Sequence, residues 1–156
     1  YGTSKLELDF AREYLDKNGI KYIYQYHAKE IGRYFDFAVV DNNSRYETEV
    51  KDGLTCVKQE GQKCRIQFLI EVDGSYYHAD ERIVDESKLS PMQKHNKFVD
   101  KLKDEYAGMH CIPILRLWEI DIRKNPQLVN ESLGKYVDLG ISNTKKKFKL
   151  HDKFLK

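Results

Sequence analysis

Residues 68–78 read FLIEVDGSYYH, from Phe68 to His78, and the way this stretch is read decides the fold. The segment from Arg65 to Val72 is largely apolar from Ile66 onward, the pattern of a strand covered on both faces and therefore central in its sheet. Glu71 and Asp73 are two apart, so on a strand they project to the same face. Gly74 then allows a turn, and His78 follows five residues after Asp73. A histidine brought back over two carboxylates can accept a proton from water, its unperturbed pKa being about 6.5. The stretch thus predicts a strand that delivers acids to a cleft, with a base behind them.

Outward from it, Ser4 to Asn18 predicts a helix. Leu6, Phe10, Ala11, Tyr14 and Leu15 form its apolar stripe, Ser4 and Glu7 fit a capping box, and Asn18-Gly19 marks its end. Ile20 to Tyr26 alternates as a strand does, and Phe35 to Val40 (FDFAVV) is a second strand closed by the turn formers Asp41 to Ser44. The polar segment from Arg45 to Lys63 reads as a long hairpin or mobile insertion, within an inserted region of about residues 42–64. Ser90-Pro91 is a helix start, a hydroxyl cap with proline at the first helical position. That helix is expected to run to Tyr106, with Val99, Leu102 and Tyr106 inward and Gly108 closing it. Cys111 to Trp118 predicts a strand whose proline favours an edge or a strand start. A last helix spans Pro126 to Val137. The expected whole is an α/β (α+β) fold with one mixed central sheet flanked by helices. Residues 1–140 form a single domain, and 141–156 a basic C-terminal tail.

Composition fits one globular domain of 156 residues, 40% hydrophobic and 33% charged, with a formal net charge of +2. Six of the last twelve residues are lysines, among them Lys145, Lys146 and Lys147. They either track a phosphate backbone or form a solvated terminus. Three cysteines cannot all pair internally, which suggests a reducing, cytoplasmic compartment. Neither a signal peptide nor an apolar run of the roughly 18 residues needed to span a bilayer is visible. Because the chain opens on Tyr1 rather than methionine, it is expected to be a domain of a longer protein.

The carboxylates carry the chemistry. Asp36 sits inside an apolar strand, where an acid is costly unless paired, metal-bound or at a cleft edge. Pairing of that strand with the one ending at Asp73 would bring Asp36, Glu71 and Asp73 to one end of the sheet. Such an all-oxygen cluster suits magnesium, manganese or calcium. Glu7 either reaches the sheet end and orders a metal-bound water or only completes its capping box. The spacings of Cys56, Cys64 and the pair His110-Cys111 match no usual zinc site, and no phosphate-binding glycine loop or dinucleotide fingerprint occurs.

Taken together, Ser4 and Glu7 on the first helix, Gln25 on the first strand, Asp36 in FDFAVV, the run Glu71-Val72-Asp73-Gly74 with His78, and ILRLWE from Ile114 to Glu119 resemble a known group. The chain is similar to the very-short-patch-repair-like branch of the PD-(D/E)xK nuclease superfamily. That branch includes mismatch-nicking repair endonucleases and the phage homing endonucleases with an E-D-x-H-D signature. The resemblance covers roughly residues 4–125. It implies a restriction-endonuclease-like sheet and a DNA endonuclease dependent on Mg2+ or Mn2+, bacterial or phage-encoded. It also implies metal ligands Asp36, Glu71 and Asp73, with the Val72 carbonyl beside them. His78 would be the general base, and Glu7 would order metal-bound water. Position 73, lysine in the parent superfamily, is aspartate here, so either His78 or a lysine of the following helix, with Lys94 the candidate, is expected to take its role. The acid expected on that helix falls near His95-Asn96, and the family's zinc site is not reproduced.

DNA contacts would come from Lys94, Lys97, Arg116 and the tail lysines, while Tyr76 and Tyr77 would stack on a base or wedge the duplex. A homodimer, or a separate DNA-targeting domain, would fit double-strand cutting. The competing expectation is a nuclease-like fold that binds DNA or protein without cleaving. A two-carboxylate glycosidase is weaker, because such enzymes need neither the histidine nor the basic tail.

Overall fold

The computed structural model describes residues 5–74 and 85–155, with the backbone alone at residue 86 and over 142–155. A four-stranded mixed sheet is flanked by helices. It is built from β1 (Tyr22–Ala28), β2 (Arg33–Val40), β5 (Ile66–Asp73) and β6 (Ile114–Trp118), in the order β1-β2-β5-β6. The first two pairings are antiparallel and β5–β6 is parallel. The crossover between those parallel strands is α2 (Pro91–Met109). As its apolar run predicts, β5 is an interior strand, and β6 lies at the edge beyond Pro113.

The two faces bury different helices. Phe37, Val39, Phe68, Ile70 and Val72 meet α1 (Lys5–Phe10), its continuation Ala11–Asp16 as a wider π-helical turn, and α4 (Pro126–Leu155). On the other face Ile23, Ala38 and Leu69 meet Tyr106 and Ala107 of α2. The predicted insertion contains a short hairpin, β3 (Thr48–Lys51) and β4 (Leu54–Val57), turning on Asp52-Gly53. It covers the open edge of β1: Lys51 Nζ donates to the Tyr24 carbonyl at 3.1 Å, and the Gln59 amide bonds both backbone groups of His27 at 2.9 Å. An open row of backbone donors and acceptors is thereby closed.

Helix boundaries differ from expectation at three places. The Ser90 cap holds as predicted and is a full capping box, with Ser90 Oγ accepting from Gln93 N and Gln93 Oε1 accepting from Ser90 N. However, α2 passes Gly108, and the left-handed residue after it is Cys111 (φ +54°). Cys111 to Pro113 therefore connects α2 to β6 rather than forming strand. A short helix, α3 (Glu119–Lys124), follows β6 directly. Finally, α4 runs on to Leu155 instead of stopping at Val137, so the backbone of the expected tail is helical. No helix among the described residues is long and apolar enough to cross a membrane.

The irregular point of the sheet is Gln25. It stands opposite Asp36 in the β1–β2 register, yet its φ is +56°, the left-handed region that a non-glycine residue adopts only with strain. Gln25→Gly is expected to raise the free energy of unfolding by about 1 kcal/mol. The readout is a higher urea midpoint at unchanged slope; a lower midpoint would show that the glutamine side chain stabilises more than its backbone costs.

Candidate active site

After a register shift between Val40 and Val39, regular pairing of β2 with β5 runs from Val39 back to Phe37, opposite Ile70. At the next position the acids take over the ladder. The amide of Val72 donates to Asp36 Oδ2 at 2.8 Å, and the amide of Asp36 donates to Glu71 Oε1 at 3.2 Å. Two carboxylates thus satisfy backbone donors that a neighbouring strand's carbonyls would otherwise serve. This explains how acids survive inside FDFAVV and FLIEVD: Asp36 and Glu71 are each only 3% exposed.

Lys103 of α2 neutralises the pair. Its Nζ lies 3.2 Å from both Glu71 carboxylate oxygens and 5.2 Å from the centre of the Phe35 ring. Burial, reinforced by the charge of Asp36, pushes the Glu71 carboxyl well above the usual range, with Lys103 pulling the other way. Glu7 is buried too, and the Tyr24 hydroxyl donates to its Oε2 at 3.1 Å. The capping partner expected for it, Ser4, lies outside the described residues.

These groups wall one cavity of about 270 Å³. Glu7, Arg33, Asp36, Glu71 and Val72 form one side of it. His95, Asn96, Val99, Asp100 and Lys103 of α2 form the other. Asp36 and Glu71 are therefore brought together, and Glu7 lines the same cavity.

Asp73 is buried near Glu71, whose carboxyl its charge helps to raise, but it does not line this cavity. Arg116 lies 3.4 Å from its Oδ2. The described residues hold no group of three or more His, Cys, Asp or Glu side chains that could hold a metal ion. Arg116, predicted to hold DNA phosphates, is also engaged with Asp100 and Asp104 of α2, at 3.4 and 3.0 Å. Although burial works against its charge, those carboxylates raise its pKa further. It is a brace between β5, β6 and α2.

Lys94 is exposed on the first turn of α2 and does not line the cavity, whereas Lys103 of the same helix does and pairs with Glu71. Lys97 is half-buried on the same helix. Near His95-Asn96, where the resemblance leads one to expect an acid, the cavity is also lined by Asp100. His78, Tyr76 and Tyr77 lie outside the described residues, as do the side chains of Lys145, Lys146 and Lys147. All three cysteines are free thiols. No family model, curated protein or solved structure matches the chain.

Proposed function

We propose that this chain is a metal-dependent DNA endonuclease on a restriction-endonuclease-like fold. One observation carries the reading: two acids from adjacent strands, Asp36 and Glu71, are buried in one cavity with a lysine amine 3.2 Å from the second. An aspartate, a glutamate and a lysine are the residue types of the parent superfamily's motif, here with the lysine delivered from α2 rather than from position 73.

The donor set fits magnesium or manganese, hard cations that are bound through one or two carboxylates and keep several waters. Asp36 and Glu71 would hold the ion, with the Val72 carbonyl and Glu7 beside them. When bound, it supplies charge relief on the phosphoryl oxygens and a more acidic water. In the reaction a water oxygen bonds to phosphorus, the bond to the leaving sugar oxygen breaks, the water's proton passes to a base, and the leaving oxygen takes up a proton from solvent. His95, on the cavity wall, is the described imidazole placed to take that proton, and His78 remains the base that the resemblance implies. Lys103 fixes the Glu71 carboxylate and keeps positive charge inside the cavity.

A second reading, a binding module without cleavage, is favoured by Lys103 and Arg116, since the chain's own cations neutralise Glu71 and Asp73. Plasmid DNA incubated with magnesium, manganese, calcium or chelator separates the two. We expect nicked or linear product with magnesium or manganese and none with chelator. DNA binding without product under every metal would establish the module instead.

A further inference from the structure

We infer that Arg33 is the anion clamp of this cavity, holding a DNA phosphate against the acid-lined wall. The inference deepens the nuclease reading and rests on it. Gly32 (φ +60°) ends a short 3-10 turn, so β2 opens on Arg33, half-buried at the cavity wall. Glu7, Asp36 and Glu71 line the same cavity. Yet no hydrogen bond or ion pair joins the Arg33 guanidinium to any of the described residues, whereas each of those acids receives a donor from elsewhere. Tyr24 serves Glu7, the Val72 amide serves Asp36, and Lys103 serves Glu71.

The other cations near the acids are spoken for: Lys103 holds Glu71, and Arg116 holds Asp73, Asp100 and Asp104. An acid-lined cavity repels a phosphodiester unless a cation at its wall offsets the repulsion. A guanidinium offers five donors in a planar fork that matches two phosphate oxygens at once, which an ammonium cannot do. Partly desolvated and with its donors unspent on the described residues, Arg33 has the position and the chemistry for that task.

The test titrates the full metal-free chain with inorganic phosphate while arginine Nε–H resonances are recorded. It is repeated with Arg33→Ala and Arg33→Lys, and all three proteins are assayed for plasmid cleavage with magnesium. We expect one resonance, missing from Arg33→Ala, to move with phosphate. We also expect kcat/KM for cleavage to fall about 100-fold in Arg33→Ala, with partial recovery at most in Arg33→Lys and an unchanged urea midpoint. An Arg33 resonance indifferent to phosphate, or an alanine variant that cleaves like the parent, overturns the clamp. Phosphate moving that resonance in a protein that cleaves no DNA under any metal upholds the clamp and removes the nuclease reading instead.

Discussion

Lys103→Ala is expected to lower the free energy of unfolding by about 3–5 kcal/mol near neutral pH, the usual cost of leaving a buried charge without its partner. The ammonium sits 3.2 Å from both oxygens of a carboxylate that is itself 3% exposed, and a second buried carboxylate, Asp36, stands beside it. The pH dependence gives the cause away. Burial and Asp36 raise the Glu71 carboxyl, and Lys103 opposes them, so the alanine variant holds it higher still. A carboxyl whose folded pKa lies above its unfolded one favours folding at low pH and loses that contribution as pH rises through the folded value. The deficit of Lys103→Ala should therefore be larger at pH 8 than at pH 5, because a raised carboxyl takes up its proton as pH falls and a neutral Glu71 needs no counter-cation. Urea unfolding at the two pH values measures this. Adding Glu71→Gln to Lys103→Ala should restore much of the loss at pH 8, since the amide oxygen can still accept from the Asp36 amide. A pH-independent deficit would show instead that Lys103 acts through the packing of its stem on Phe35.

The second large effect is on cleavage. Asp36→Asn is expected to reduce it by at least about 1,000-fold, the scale on which loss of a principal electrostatic group in a site is felt. Fold stability should stay close to the parent's. The choice of asparagine matters: its Oδ1 can go on accepting from the Val72 amide, which Asp36 Oδ2 does at 2.8 Å. Asp36→Ala instead leaves that buried donor without its acceptor and should cost a further 1–3 kcal/mol or so in stability. Calorimetric titration with Mn2+ supplies an independent readout, because the asparagine variant should lose affinity while remaining folded. Cleavage at the parent rate in Asp36→Asn would remove Asp36 from the site.

Much of this was legible in the chain, for identifiable reasons. The apolar run into Glu71 marks an interior strand because only a strand covered on both faces tolerates it, and β5 is interior. Ser90-Pro91 is a local signal and its cap forms. The acid at position 36 is conspicuous because it interrupts an apolar strand. Lys103 was less visible, since a lysine on an amphipathic helix is ordinarily solvated. The available signal was its place four residues after Val99 and three before Tyr106, on the stripe that faces the sheet. Arg116 carried a similar signal, flanked by Leu115 and Leu117. Asp73 pairs with Arg116 across 43 residues of sequence, and Gln25 takes a left-handed backbone within a strand. Neither is written in local sequence. The extension of α4 past Val137 was hidden by Gly140 and by the Ser142-Asn143-Thr144 run after it, which are weak helix formers on their own.

The dual service of Asp36 and Glu71, as cavity acids and as acceptors for strand amides, has an evolutionary consequence. On the proposed nuclease reading, a descendant relieved of selection for cleavage would still be under selection to fold. Both acids would persist, together with Lys103, long after the activity had gone. Drift would register first at cavity positions that serve no backbone donor and no buried partner, Arg33 and His95. Among relatives of this chain, those two residues would be the earlier markers of a lineage that has stopped cutting DNA.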